Sequence, residues 1–467
     1  MSRFVPARRL EVRVRRLIAA LFLTICAAGA AAAQTRALTL EETRVLVVRA
    51  AFAGQPQIAA PLAAALLKQD PKDEHALLAM SAMYLGAGDA GQSYRNGRLA
   101  FRNAEDQELR FHAARMTAIA AMADNRTIAT QFWLRRAGDL APTEAQRARA
   151  ETNYDIFQAR NPWRWRIDAS VTPSSNVNGG SETPYNIIDG VPLVGFLTPD
   201  AQALSGWIAQ GRLDVSYRFQ RTARSQSDAT ASVYAKRVRL SDDAQAKAPG
   251  FDAGDLSAEE ITVGLRHSLA VGRRGQIVQL AGRTGGYRQG GEPGYRALDG
   301  SLSLVRPTTA RLSKSELLEA EARDYSGDGS GRVLRASAGI SYAFPGGSRL
   351  AGSVYVGDTV QPNTNFDNRA VYGKLTYSLG RPVMDIRVAA SVGASLSDYP
   401  DYSLGFIPVP GGRQDEGLFV DLDLTFEQIE YAGFSPSLRV RRQQTTSNVS
   451  RFTTSEWAVS VGIQSNF

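Results

Sequence analysis

The residues able to do chemistry are few. His75, His112 and His267 are the only histidines, and Cys26 is the only cysteine. No two of the histidines stand at metal-ligand spacing, so they compose no zinc set. The chain has no G-x-S-x-G elbow, no P-loop and no dinucleotide fingerprint. A nucleophile–His–acid constellation in the C-terminal region would have to use His267, and no partner is marked out for it. The stretch Asp324-Tyr325-Ser326-Gly327-Asp328-Gly329-Ser330 begins like a calcium loop. Arg335 stands where the closing bidentate Glu belongs, and a polar hairpin turn accounts for the composition. The expectation is a protein that is not an enzyme, with no catalytic, cofactor-binding or metal residues and no cofactor. What remains is ionic chemistry: Arg212, Asp214, Arg218, Arg266, Glu319, Glu321, Arg323, Asp421 and Asp423 interrupt apolar stretches at even spacing. They reach a common polar interior only if β-strands hold them, because alternate strand residues face opposite sides.

The region after Asn161-Pro162 has that period of two, with Gly, Ser, Thr, Tyr and Val enriched. Fourteen alternating segments run from Trp163 onward. Trp207, Leu213, Val215, Tyr217 and Phe219 share one face, as do Leu334, Ala336, Ala338, Ile340, Tyr342 and Phe344, and as do Met384, Ile386, Val388 and Val392. In the last segment Trp457, Val459, Val461, Ile463 and Phe467 share a face, broken by Ser465. Connections after odd segments include long stretches rich in Gly, Pro, Asp and Asn (172–207, 238–260, 396–418). Those after even segments are tight (271–275, 345–347, 380–382). A transmembrane antiparallel barrel requires this alternation of loop lengths, and a soluble sandwich does not.

Residues 34–160 read differently. Ala, Leu, Arg and Glu dominate, with apolar residues recurring at three and four. Gly54 and Gly88 punctuate helix patterns 34 residues apart, and Ala123-Asp124-Asn125 repeats the turn. The spacing predicts helix pairs 41–52 with 58–69, 75–85 with 90–103 and 108–122 with 126–137, then a capping helix over 143–158. This period is that of tetratricopeptide-like (TPR-like) repeats, whose concave face holds polypeptide.

Residues 1–33 read as a signal peptide. Arg8, Arg9, Arg13, Arg15 and Arg16 precede an apolar run, and Ala31-Ala32-Ala33 offers the small-residue cleavage site. Ile25 before Cys26 argues against lipid attachment there. Six of the 54 basic and one of the 46 acidic residues lie in this leader, so the remainder carries a net +3. That balance gives a nucleic-acid partner little support. The fold class expected is therefore all-α TPR-like helical repeats in the periplasm (34–160) followed by an outer-membrane β-barrel of about 14 strands (161–467), with outer-membrane lipids as its surroundings.

Asn161-Pro162-Trp163 leads into the first strand, and Pro173-Ser174-Ser175-Asn176-Val177-Asn178-Gly179-Gly180-Ser181 closes it. This junction resembles that of the surface lipoprotein assembly modulators, the Slam family, in which a periplasmic TPR domain precedes a 14-stranded barrel. The resemblance implies translocation or surface display of a client lipoprotein or secreted protein. It singles out Trp163, Ser175, Asn176 and Asn178 as a first-strand and loop motif with a structural or gating part to play. Turn chemistry alone also explains Asn and Gly there. The aromatic end, Trp457 and Phe467, resembles the signal read by the barrel-assembly machinery during insertion. Two other readings stay open: an exopolysaccharide-export barrel, whose relatives usually carry many more repeats, and a porin with a periplasmic domain.

Overall fold

A computed structural model describes residues 38–189, 194–272, 275–405, 407–426, 429 and 434–465. The leader, Cys26 and Phe467 lie outside them. The chain divides into two compact units, Met1–Asn125 and Arg126–Phe467.

The first unit contains helices α1 (Leu40–Phe52), α2 (Pro56–Gln69), α3 (Glu74–Gly86), α4 (Ala90–Asn103) and α5 (Gln107–Ala123). Local chemistry sets their ends. Thr39 and Glu42 form a capping box on α1, and Asp73, Asp89 and Asp106 each cap the next helix through backbone N–H groups. Gly54, Gly88 and Asn125 follow α1, α3 and α5 with φ of +69°, +83° and +54°. These are the left-handed residues that end a helix and free the chain to return. The turn period read from the sequence is thus a repeated backbone conformation. The core is made of small residues, among them Ala50, Ala59, Ala63, Ala76, Ala79 and Ala113, with Val47, Leu66 and Leu78. Small side chains let helices approach closely. A Cβ on Gly97 of α4 would stand 2.4 Å from Thr117 Oγ1 and 3.1 Å from Ser81 Oγ. Arg44 of α1 reaches the buried Asp73 at 2.8 Å and ties α1 to the start of α3.

The second unit begins with α6 (Thr127–Asp139) and α7 (Glu144–Arg160), held together by Arg135, whose guanidinium lies over the Tyr154 ring and donates to its hydroxyl at 2.6 Å. The compact division therefore leaves the last two helices with the barrel. Fourteen strands then close on themselves: β1 (Trp163–Ser174), β2 (Gly206–Arg221), β3 (Ser225–Leu240), β4 (Ala258–Val271), β5 (Gln276–Gln289), β6 (Glu292–Pro307), β7 (Leu312–Tyr325), β8 (Gly329–Ala343), β9 (Arg349–Val360), β10 (Asn368–Ser378), β11 (Ile386–Tyr399), β12 (Arg413–Phe426), β13 (Phe434–Ser447) and β14 (Thr454–Ser465). Each strand pairs antiparallel with its sequence neighbour, and β1 pairs with β14 through Asp168↔Gln464 to Ser174↔Ala458. Closure removes both sheet edges, which a barrel in lipid requires. The outer face is apolar and exposed: Leu213, Val263, Leu298, Leu318, Ile340, Val392 and Val461 are examples. Exposure of this kind is the signature of a lipid-facing wall.

One strand start differs from the sequence reading. Met384, assigned by periodicity to the eleventh strand, lies in a turn with Asp385, at φ of +50° and +62°. Val383 and Ile386 exchange backbone hydrogen bonds of 2.9 and 3.0 Å, so Met384 and Asp385 are the two central residues of a tight reversal. Two positive φ values are what such a hairpin needs, and this local geometry overrides the apolar period. The stretch 324–330 is likewise a tight hairpin between β7 and β8, with Asp328 N–H donating to Tyr325 O at 2.9 Å.

Candidate functional site

The residues singled out from sequence fall at both ends of β1. At its start, Asn161 Oδ1 accepts from Trp163 N–H at 3.0 Å, and the Trp163 ring packs on Tyr217 with centroids 4.7 Å apart. Arg218 of β2 donates to the carbonyls of Ala159 and Arg160, the last of α7, and of Asn161, which caps it. A cation on the open carbonyls of a helix C-terminus is favourable, so this arginine fixes α7 to the wall. Trp165 Nε1 donates to Gln131 Oε1 of α6 at 3.2 Å.

At the far end of β1, Asn176 and Asn178 knit the first long loop. Asn176 donates to Gly180 O and accepts from Gly180 N–H, at 2.9 and 2.8 Å. Asn178 Nδ2 donates to Asp200 O and Gln202 O, and its Oδ1 accepts from Leu204 N–H at 3.0 Å. The amide thus clamps the outgoing and returning limbs of the loop. Ser175 exchanges bonds with the backbone of Trp457 at the β1–β14 closure, at 3.0 and 3.1 Å. Trp457 itself is on the lipid face, with Arg442 5.3 Å from its ring.

The loops at this end carry small cores of their own. Val177 and Leu204 of the first loop pack with Leu240, Ala244 and Ala248, the last two on or beside the short helix α8 (Asp242–Lys247). Ile188, Tyr402, Val409 and Val449 join the first, sixth and seventh loops. Beside them Arg413 is clasped between the rings of Tyr399 (3.8 Å) and Phe452 (3.6 Å) while donating to both oxygens of Asp415. Burial raises the Tyr402 phenol above its ordinary range.

The inward faces of the strands carry the ionic residues. All of those named from sequence are brought there, and the register shows what each one meets. Arg266 pairs with the buried Asp228 at 3.2 Å. Arg283 holds Asp299 at 2.8 Å and lies 3.8 Å from Glu319. Arg335 bridges Glu319 (2.6 Å) and Glu321 (3.0 Å), and Arg323 also takes Glu321 at 2.8 Å. Asp214 accepts from Ser232 Oγ at 2.6 Å, and Arg212 lies 3.7 Å from Glu260. On the arc β10–β13, Arg441 donates to both oxygens of Asp421, Lys374 stands 3.9 Å away, and Arg439 pairs with Asp423. A cavity of about 780 Å³ inside the wall is lined by Arg164, Arg166, Arg212, Arg266, Arg283 and other members of this network. Arg283, Arg439 and Arg441 did not stand out in the sequence, and Arg335 did so only as the residue in place of a calcium loop's Glu. Parity with neighbouring inward residues is the signal that could have found them, and only the register places each opposite a carboxylate.

No family model and no curated protein matches the chain. Solved structures similar to it are barrels. They include OprB of Pseudomonas putida (10% identity, 68% of this chain and 96% of that one, TM-score 0.37) and an outer membrane channel from Pseudomonas putida F1 (11%, 64% and 94%, TM-score 0.32). CdiB from Acinetobacter baumannii is a third (11%, 64% and 60%, TM-score 0.38). At such values the likeness reaches no further than the multi-stranded barrel. The class follows from the chain's own geometry: a closed antiparallel barrel with an apolar exterior and an ionic interior, preceded by helix pairs, is an outer-membrane β-barrel protein.

Proposed function

We propose that this protein moves client polypeptides, lipoproteins or secreted proteins, across the outer membrane or to its surface. The helix pairs, read as TPR-like repeats in the periplasm, hold the client, and the barrel receives it. The observation that carries this reading is the apolar surface left on the first unit. Val45 (46% exposed) and Phe52 (42%) stand two turns apart on one face of α1, and Ile119 (38%) and Met122 (51%) one turn apart on α5. Paired exposed apolar side chains on a helical repeat suit a polypeptide ligand. The reading includes no catalysis, and lipid hydrolysis by the purified barrel would count against it. The barrel-assembly machinery is the partner expected at insertion.

The test is surface proteolysis of candidate lipoproteins in cells with and without the protein. One lipoprotein should lose surface exposure in the deletion and be retained in the periplasm. Phe52→Lys with Met122→Lys should reproduce that loss while the barrel still inserts. If every candidate stays displayed and a secreted polysaccharide disappears, the exopolysaccharide reading replaces this one. The luminal cavity favours a second reading, an open porin, which predicts steady single-channel conductance from the purified chain.

A further inference from the structure

The barrel rim at the long-loop end carries charge that neither client transfer nor the luminal pairs explain. On β3 to β6 the lipid-facing side is apolar below and basic above. Val233, Ile261 and Leu298 are exposed on it. The residues nearer the loops on the same face include Arg237, Arg239, Glu259, Arg288 and Arg296. Arg239 lies opposite Trp207, which is exposed on the lipid face. Aromatic rings of a barrel gather at the head-group level, so these guanidinium groups stand where lipid phosphates lie. Glu259 pairs with Arg237 and is the register partner of Arg288. Arg239 and Arg296 have no carboxylate within ion-pair distance among the described residues, Asp324 opposite Arg296 included. The other arc of the rim has the other sign. Asp358, Asp398 and Glu416 face the lipid side at the loop end of β9 to β12, with Arg369 among them.

A long cationic side chain at a membrane interface reaches water unaided, and that explains any one of these arginines. It does not explain why they gather on one arc while the other is acidic. A second feature adjoins them. A cavity of about 520 Å³ opens beside Arg239, between the end of β3 and residues 242–254 of the second loop. Arg239 is the one basic residue of its lining, and Asp242, Gln245 and Asp252 also line it. Asp252 Oδ1 accepts from Gly254 N–H at 2.7 Å, and a carboxylate has further acceptor sites for hydroxyl donors. Carboxylates in the cavity repel a bare anion, so phosphate belongs on the outward arginines and a hydroxylated head group in the cavity. We propose that this face binds a phosphorylated glycolipid of the surrounding leaflet. Its acyl chains lie over Val233 and Ile261, its phosphate meets Arg239 and Arg237, and its sugar hydroxyls enter the cavity. A phospholipid would bring chains and phosphate but leave the polar cavity unfilled. Free phosphate would make no use of the apolar wall.

Native mass spectrometry of the full-length protein in detergent, titrated with diphosphoryl lipid A, tests this. Saturable binding is expected, weakened about tenfold by Arg237→Gln with Arg239→Gln. Arg369→Gln on the acidic arc should bind as the parent does. Lipid A stripped of its phosphates, and phosphatidylglycerol, should each bind about tenfold more weakly than the intact glycolipid. Excess inorganic phosphate should leave the lipid bound. Heat-modifiable migration confirms that each variant is folded. Should the double variant fail to fold, Glu259→Gln, which releases Arg237 from its carboxylate, is expected to bind about threefold more tightly. No binding by the folded parent overturns the proposal. So does affinity left unchanged by the folded double variant, or by Glu259→Gln in its place, and so does equal weakening by Arg369→Gln. Equal affinity for the dephosphorylated lipid would remove the arginines from the site, and equal affinity for phosphatidylglycerol would remove the cavity. Either overturns the assignment, as does displacement by inorganic phosphate, which would make the patch a site for free anions.

Discussion

At the scale of single residues, buried charge is the most consequential feature of both units. Asp73 is 1% exposed, caps α3 through Ala76 N–H at 2.8 Å and receives Arg44 at 2.8 Å. The Asp73 carboxylate is the main reason the Arg44 guanidinium is held above its ordinary pKa. Asp73→Ala removes a cap and strands a cation, and should cost the first unit about 2–3 kcal/mol in chemical denaturation followed by helical circular dichroism. His112 offers a pH test. Burial, aided by Arg115 and opposed by Glu108, lowers its pKa below the ordinary value of 6.5. Above that pH the imidazole is neutral whether folded or unfolded, and it adds no pH dependence. As pH falls through about 6.5 the unfolded chain binds a proton that the folded one resists, so stability is lost down to the depressed folded value. The helical melting temperature should fall between pH 7 and pH 5, and His112→Gln should flatten part of that fall. An equal slope in both proteins would remove His112 from the account.

At the scale of elements, the helices and strands were largely legible because each carries its own punctuation. The left-handed turn residues Gly54, Gly88 and Asn125 and the aspartate caps are local signals, and the observed helices lie within a few residues of those expected. Strand faces were legible for the same reason, since parity needs no partner. Met384 was misassigned because the turn's two positive φ values fall on Met384 and Asp385, without the Asn-Gly or Asp-Gly pair that announces such a hairpin. The close packing at Gly97 was invisible, since nothing in the sequence says which neighbour comes within reach of an absent Cβ. It gives a sharp prediction. Gly97→Val must displace Thr117, whose Cα is 3.4 Å from the added Cβ, and should cost about 2–3 kcal/mol as an overpacked core does. Protease should then cut the first unit early while the barrel keeps its heat-modifiable migration. Simultaneous loss of both would mean that the two units do not fold independently.

At the scale of the whole molecule, the missing information was register. The sequence shows an arginine or carboxylate on an inner face, but the pairing Arg335–Glu319–Arg283–Asp299 exists only once β5 to β8 lock at Arg283↔Asp299 and Glu319↔Arg335. The first loop was similarly opaque. Asn176 and Asn178 were marked by the family resemblance of the junction, but the partners Gly180, Asp200, Gln202 and Leu204 are fixed by the loop's return path. The network suggests how the lumen treats ions. Arg266, Arg283, Arg323 and Arg335 are all matched by carboxylates, so this arc of the wall presents balanced charge and should discriminate weakly between small ions. Glu319→Gln with Glu321→Gln removes two negative charges and leaves Arg323 and Arg335 without anionic partners. If the lumen conducts, the reversal potential in a salt gradient should move toward that of the anion, and the shift should shrink as salt rises and screens the uncompensated guanidinium groups. The same variant should unfold at lower temperature, because breaking a partly buried pair leaves its partner's charge uncompensated. A lower melting temperature with no change in selectivity would place this network away from the ion path and assign it to holding the wall together.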